Sequence, residues 1–215
     1  MMNFQLNHSD QFSLISRVAK GALLSVGLTA MSSVMAIAPG EQAKSFALKD
    51  MHGNQVKLEQ FSGKTVILEW TNHECPYVKK HYGSGNMQRL QKDYASNDQV
   101  VWLSIISSAP GKQGHVDSAK AQQLTKERLA QPDYVLFDPS GEVGRAYSAK
   151  TTPHMYIIDQ SGKVQYNGAI DSISSADKAD VEKATNYLSQ AMLAMAEGKP
   201  VSSPLTKPYG CSIKY

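Results

Sequence analysis

Cys75-Pro76 is the pair of residues in this chain best suited to covalent chemistry. Proline fits the first position of a helix, because the N–H it lacks would be unsatisfied there anyway. The cysteine before it then sits at the helix N-terminus, where unpaired N–H groups and the helix dipole favour a negative sulfur. The thiolate is the nucleophilic form of cysteine, so a lowered pKa would make Cys75 reactive. Lys79 and Lys80, one turn on, are expected to add to this effect, and Glu74 to oppose it. A buried, inert cysteine is the alternative.

A single nucleophilic sulfur ends as a mixed disulfide or a sulfenic acid, and both need a second thiol to be resolved. Cys211 is the one other cysteine. It can act as a resolving thiol, form a permanent bridge with Cys75, or pair with another molecule. A permanent bridge would close a very long loop, worth about 5 kcal/mol in the chain-entropy estimate. His73, His81 and His154 are expected near Cys75, and imidazole with thiolate suits copper or zinc. One thiolate is a thin donor set, so neither a metal nor another cofactor is expected.

The elements that must position these groups follow from hydrophobic pattern. Alternating apolar residues around Gly53-Asn54 read as a β-hairpin over 46–58. The β-branched run Thr65-Val66-Ile67-Leu68-Glu69-Trp70 reads as a central strand leading directly to Cys75. The helix that Pro76 starts is expected to break at Gly83-Ser84-Gly85 and resume through Met87, Leu90 and Tyr94. Further strands are expected at 100–106, 134–137 and 155–159, with a hairpin partner at 163–168. A peripheral helix is expected over 118–130, carrying Leu124 and Leu129, and a short one ending near Tyr147. The last helix is expected from Ser174 or Ser175 to Gly198, with Val181, Ala184, Leu188, Met192 and Met195 on one face. This order predicts an α/β domain over 40–198 with a mixed central sheet flanked by helices. Pro200, Pro204 and Pro208 predict an extended tail over 199–215, which carries Cys211.

Residues 1–36 read as a signal peptide. Arg17 and Lys20 precede a short apolar run from Ala22 to Met31, and Val34-Met35-Ala36 is a small-x-small cleavage site. The run falls short of the roughly 20 residues a membrane span needs. The expected destination is an exported, oxidising compartment such as the periplasm, where disulfides persist. The net charge of +3 and four scattered arginines give no sign of a polyanion-binding surface, so no nucleic-acid partner is expected.

The order of these elements resembles the thioredoxin-like superfamily, and specifically its redoxin, thiol-peroxidase-like branch. The resemblance runs from about 44 to 197. It is carried by Asp50, Gly53, Val56, Leu58, Phe61, Gly63 and Lys64 in the opening segment, by Cys75 after the first long strand, and by Thr152-Pro153 before a later one. It implies that Pro153 is cis, faces Cys75 and presents neighbouring backbone to a substrate strand. Two residues depart from the family pattern. Val78 replaces the second cysteine of Cys-x-x-Cys, and Asn72 stands where peroxiredoxins place a threonine or serine, with Thr71 one residue earlier. The resemblance implies a thiol oxidoreductase acting on a protein thiol or disulfide, or on a peroxide, and regenerated by an external thiol reductant. Cys75 and Cys211 are its expected catalytic residues; Trp70, Thr71, Pro76, Lys79, Thr152 and Pro153 are expected to support or bind substrate. Trp70 suits either a groove wall or the core. A binding module with a structural Cys75–Cys211 bridge is the main alternative, and a metallochaperone a lesser one.

Overall fold

The computed structural model describes residues 37–95 and 98–215. The expected signal peptide lies outside them. Among the described residues, no helix is long and apolar enough to cross a membrane.

The opening hairpin is β1 (Ala47–Asp50) with β2 (Gln55–Lys57), joined through a turn in which Asp50 Oδ1 accepts the N–H groups of His52 and Asn54, each at 2.8 Å. β3 (Thr65–Trp70) follows and is buried from Val66 onward. Next come α1 (Pro76–Gly83), α2 (Asn86–Ala95), β4 (Val100–Ile106), α3 (Ser118–Glu127), β5 (Tyr134–Phe137) and α4 (Glu142–Ala146). β6 (Thr151–Thr152), β7 (His154–Ile158), β8 (Val164–Gly168), α5 (Tyr187–Ala196) and β9 (Cys211–Ser212) complete the chain. The main sheet has the order β2-β1-β5-β4-β3-β7-β8. Its three middle strands β5, β4 and β3 are parallel, and β1 and β7 join them antiparallel. β3 is central, as its continuous apolar run requires.

Alternation along β3 divides the core. Val66, Leu68 and Trp70 face one cluster with Leu103, Ile105, Tyr147 and Tyr156. Ile67 faces the other, with Trp102 and the helical residues Val78, Met87, Leu90, Leu188 and Met192. α1, α2 and α5 therefore cover one face. α1 is fastened there by Tyr82, whose hydroxyl donates to the buried Glu69 carboxylate at 3.1 Å. Trp102 Nε1 and Ser104 Oγ donate to the same carboxylate.

Two helix expectations are corrected. The last helix begins at Tyr187, not near Ser174 or Ser175, so Val181 and Ala184 lie outside it. Side chains before it bond their own backbone: Asp171 Oδ1 takes the Ile173 N–H, and Asp177 Oδ1 takes the Ala179 N–H. Such local bonds compete with the helical ladder. Asn186 is the true cap, with Oδ1 accepting the Ser189 N–H at 2.9 Å. The 118–130 helix ends at Glu127, and Leu129 stands beyond it at φ 52°, 74 % exposed. Asn186→Ala is therefore expected to lower stability by about 1 kcal/mol. Ser174→Ala, which would remove the cap of the longer helix, is expected to stay within about 0.5 kcal/mol. Urea unfolding of both variants checks the assignment.

Candidate active site

Strand register brings the site together. Trp70, the last residue of β3, pairs with His154, the first of β7. The chain leaving β3 toward Cys75 and the Thr152-Pro153 bond entering β7 therefore meet at one sheet end. The Thr152–Pro153 peptide is cis, as the resemblance implied.

Asn72 shapes the turn before Cys75. It is buried, its Oδ1 accepts the Glu74 N–H at 2.9 Å, and its carbonyl accepts the Cys75 N–H at 3.1 Å. A Cβ at Gly114, which has φ +87°, would overlap the Asn72 amide. The Glu74 carboxylate accepts the Gly114 N–H at 2.7 Å. Cys75 is the N-cap of α1 and Pro76 its first residue, as expected. The Lys79 N–H donates to the Cys75 carbonyl at 2.9 Å.

The tail folds back over this point. β9 pairs antiparallel with β6, Thr151 opposite Ser212 and Thr152 opposite Cys211. Cys75 Sγ lies 2.7 Å from Cys211 Sγ and 3.1 Å from the Thr152 carbonyl oxygen. Cys75 has no exposed surface, whereas Cys211 is partly exposed. The tail thus holds the backbone position expected for a substrate strand. It is secured on both sides of Cys211: Tyr209 packs edge-on against Tyr77, and the Tyr215 hydroxyl donates to the Ala149 carbonyl at 2.8 Å.

Electrostatics separate the two thiols. Burial pushes the Cys75 thiol up, but hydrogen bonds from the Cys211 thiol and the Val78 N–H outweigh it and hold Cys75 below its ordinary value. Burial raises the Cys211 thiol, and the neighbouring Cys75 sulfur raises it further. Cys75 is therefore the more acidic thiol of the pair and Cys211 the less acidic.

Several expected neighbours stand elsewhere. Trp70 is no groove wall: it has no exposed surface, donates from Nε1 to Ser107 Oγ at 3.1 Å, and packs on Tyr147 and Tyr156. Thr71 is buried, and its hydroxyl bonds neither sulfur. Lys79 is exposed. Lys80 is buried in an ion pair with Asp171, Nζ to Oδ2 3.1 Å, so it does not serve the sulfur as expected. His81 and His154 are buried and bound to Asn86 and Asn167. The three histidines do not gather around Cys75, and among the described residues no group of three His, Cys, Asp or Glu side chains could hold a metal.

The redoxin family model matches residues 38–186. This chain belongs to the redoxin family. The match ends before α5 and the tail that bears Cys211. The thioredoxin-like protein YneN of Bacillus subtilis is 28 % identical over 129 residues, which cover 60 % of this chain and 70 % of that one. The thiol-disulfide oxidoreductase ResA of Bacillus thuringiensis is 26 % identical over 128 residues, covering 58 % and 66 %. A crystal structure of an uncharacterized conserved protein from Geobacillus kaustophilus superposes with a TM-score of 0.69 at 28 % identity, over 83 % of this chain and 93 % of that one.

Sequence reasoning missed the buried supports of the site: Asn72, Lys80, Asp171 and Tyr209. Neighbouring lysines gave no signal that one points inward. Gly210 carried a faint one, since a glycine beside a cysteine marks close backbone approach.

Burial holds His81 and His154 neutral in the folded chain, each with its pKa lowered to about 4. Unfolding returns them to about 6.5. Their contribution to stability is present above that value and is lost as pH falls toward 4. Each histidine is expected to contribute up to about 1.4 kcal/mol per pH unit to that slope. Urea unfolding from pH 7 to 4 reads it, and His154→Gln should remove roughly half.

Proposed function

We propose that this protein is an exported thiol-disulfide oxidoreductase in which Cys75 is the nucleophile and Cys211 the resolving thiol. The observation that carries the reading is the approach of the two sulfurs, 2.7 Å apart at the N-terminus of α1. The likeness to a relative named as a thiol-disulfide oxidoreductase supports it. The signal-like sequence of residues 1–36 supports export.

In the reduced chain, the tail lifts and the Cys75 thiolate attacks one sulfur of a substrate disulfide. The other substrate sulfur leaves as a thiolate. Once Cys75 is in the mixed disulfide its negative charge is gone, and one of the two influences that raise the Cys211 thiol goes with it. Cys211 loses its proton and attacks the Cys75 sulfur, forming the Cys75–Cys211 bond and releasing the second substrate thiol. An external dithiol reductant then reopens the bridge. Its thiolate is expected to attack Cys211, the exposed sulfur, because Cys75 with its lower pKa is the better leaving group. The features favour disulfide exchange over peroxide reduction. The Thr71 hydroxyl is unbonded, Asn72 is spent on the turn, and Arg89, Arg128 and Arg145 are engaged with Asn86, Tyr82 and Tyr215.

The complete burial of Cys75 favours one second reading, a binding module with a static bridge. Turnover of a peptide disulfide by the full-length chain separates the two. Exchange predicts that Cys75→Ser falls to the uncatalysed rate and that Cys211→Ser stalls as a mixed disulfide on Cys75. Brief treatment of the oxidised chain with a monothiol, then alkylation, should place the thiol on Cys211 and the alkyl group on Cys75. A bridge that forms and resists thiol reduction supports the static reading.

A further inference from the structure

A buried polar cluster joins α1 and the segment after β8 to the tail and bonds neither sulfur. Lys80 on α1 and Asp171 after β8 are 1 % and 3 % exposed. Lys80 Nζ also donates to the Ile173 carbonyl at 3.0 Å. His81 Nδ1 faces the Asn86 amide nitrogen at 2.9 Å, and Asn86 Oδ1 accepts from Arg89. The Asn86 amide N–H therefore donates to Nδ1, which leaves the His81 Nε2–H to donate to the Tyr209 hydroxyl, 3.3 Å away. Tyr209 completes the cluster: its hydroxyl donates to Asp171 Oδ1 and lies 3.4 Å from Lys80 Nζ. Its ring sits 5.5 Å from Lys80 Nζ and 5.8 Å from the Tyr77 ring.

Tyr209 lies two residues before Cys211. Between them Gly210 has φ +135°, and a Cβ there would overlap the Thr152 carbonyl oxygen. The tail backbone between Tyr209 and Cys211 is therefore closely fitted against β6. The β6–β9 ladder is only two pairs long and is too short to hold a strand by itself. The cluster adds a buried side-chain anchor to the tail's backbone bonds, two residues before Cys211. A departing tail would leave Asp171 Oδ1 with the Ile173 N–H alone and take from His81 Nε2 its hydroxyl partner, and a buried polar group that loses a partner is costly. The groups that are buried for the fold thus also favour the docked tail.

We propose that Tyr209 is a positioning residue of the reaction, latching the tail to the buried Lys80–Asp171 pair so that Cys211 is delivered to Cys75. It bonds neither sulfur. The inference rests on the exchange reading above and goes beyond it. The latch opens when the tail lifts for substrate, and its re-formation returns Cys211 to the mixed disulfide.

The test is Tyr209→Phe in the full chain, equilibrated in a thiol redox buffer, with Lys207→Ala as an exposed tail control. The phenyl ring keeps the packing and removes only the hydroxyl. The equilibrium constant for the Cys75–Cys211 bridge is expected to fall about tenfold, which for a two-electron couple raises the potential by about 30 mV. Iodoacetamide labelling of Cys75 in the reduced chain should accelerate by a similar factor. Lys207→Ala should change neither readout. A merely structural tyrosine would lower the unfolding midpoint and leave both untouched, and that result would overturn the proposal. A wild-type chain that forms no bridge overturns the exchange reading and this inference together. A bridge whose equilibrium ignores Tyr209→Phe overturns this inference alone.

Discussion

The site is organised around the docking of the C-terminal strand across the end of the sheet, above Cys75. Two backbone pairs join β9 to β6, and the tail adds further bonds on both sides. The Asn167 N–H donates to the Pro204 carbonyl at 3.0 Å, and the Thr206 N–H returns to the Asn167 carbonyl at 3.1 Å. Beyond Cys211, the Ile213 N–H reaches the Lys150 carbonyl at 3.1 Å, and the Ala109 N–H reaches the Lys214 carbonyl at 2.8 Å. Cys211 is thereby brought to Cys75 across 136 residues of sequence. Burial raises the Cys75 pKa, and the docked tail supplies through Cys211 one of the hydrogen bonds that lower it, the Val78 N–H of α1 another.

A second thiol delivered by a tail differs from one placed within the same helical turn. In a Cys-x-x-Cys motif both sulfurs share one helix N-terminus. Here Val78 occupies that place and is fully buried in the core beside Met87 and Leu188. The second sulfur instead sits on the C-terminal segment, next to the cis-proline backbone. One segment thus covers Cys75 and carries the second sulfur. The asymmetry follows from position: the helix-capping sulfur is buried with its pKa held below the ordinary value, and the tail sulfur is partly exposed with its pKa raised.

The fold was legible because its determinants are local. β3 announced itself by six residues of mostly β-branched and apolar type, and the break between α1 and α2 by Gly83 and Gly85. Cys75 was legible from Pro76 alone. The supports of the site were not, because they depend on distant partners. Lys79 and Lys80 are alike in sequence, yet one is solvated and the other meets Asp171. Asp171 is 91 residues from Lys80, and no local pattern links them. The late start of α5 had the same origin: the 3.6-residue apolar stripe was real, but Asp171, Asp177 and Asn186 bind nearby backbone and delay the helix to Tyr187. Trp70 was ambiguous because a strand end can face either a groove or the core, and the ring pocket of Tyr147 and Tyr156 decides it.

The central claim is that the Cys75–Cys211 pair is a working redox couple rather than a staple. The direct measurement is its reduction potential, obtained by titrating the full-length chain in a thiol redox buffer and counting free thiols by mass. The account predicts a value between about −270 and −120 mV, the range of catalytic dithiols. A value below about −300 mV is typical of structural disulfides, and would contradict it.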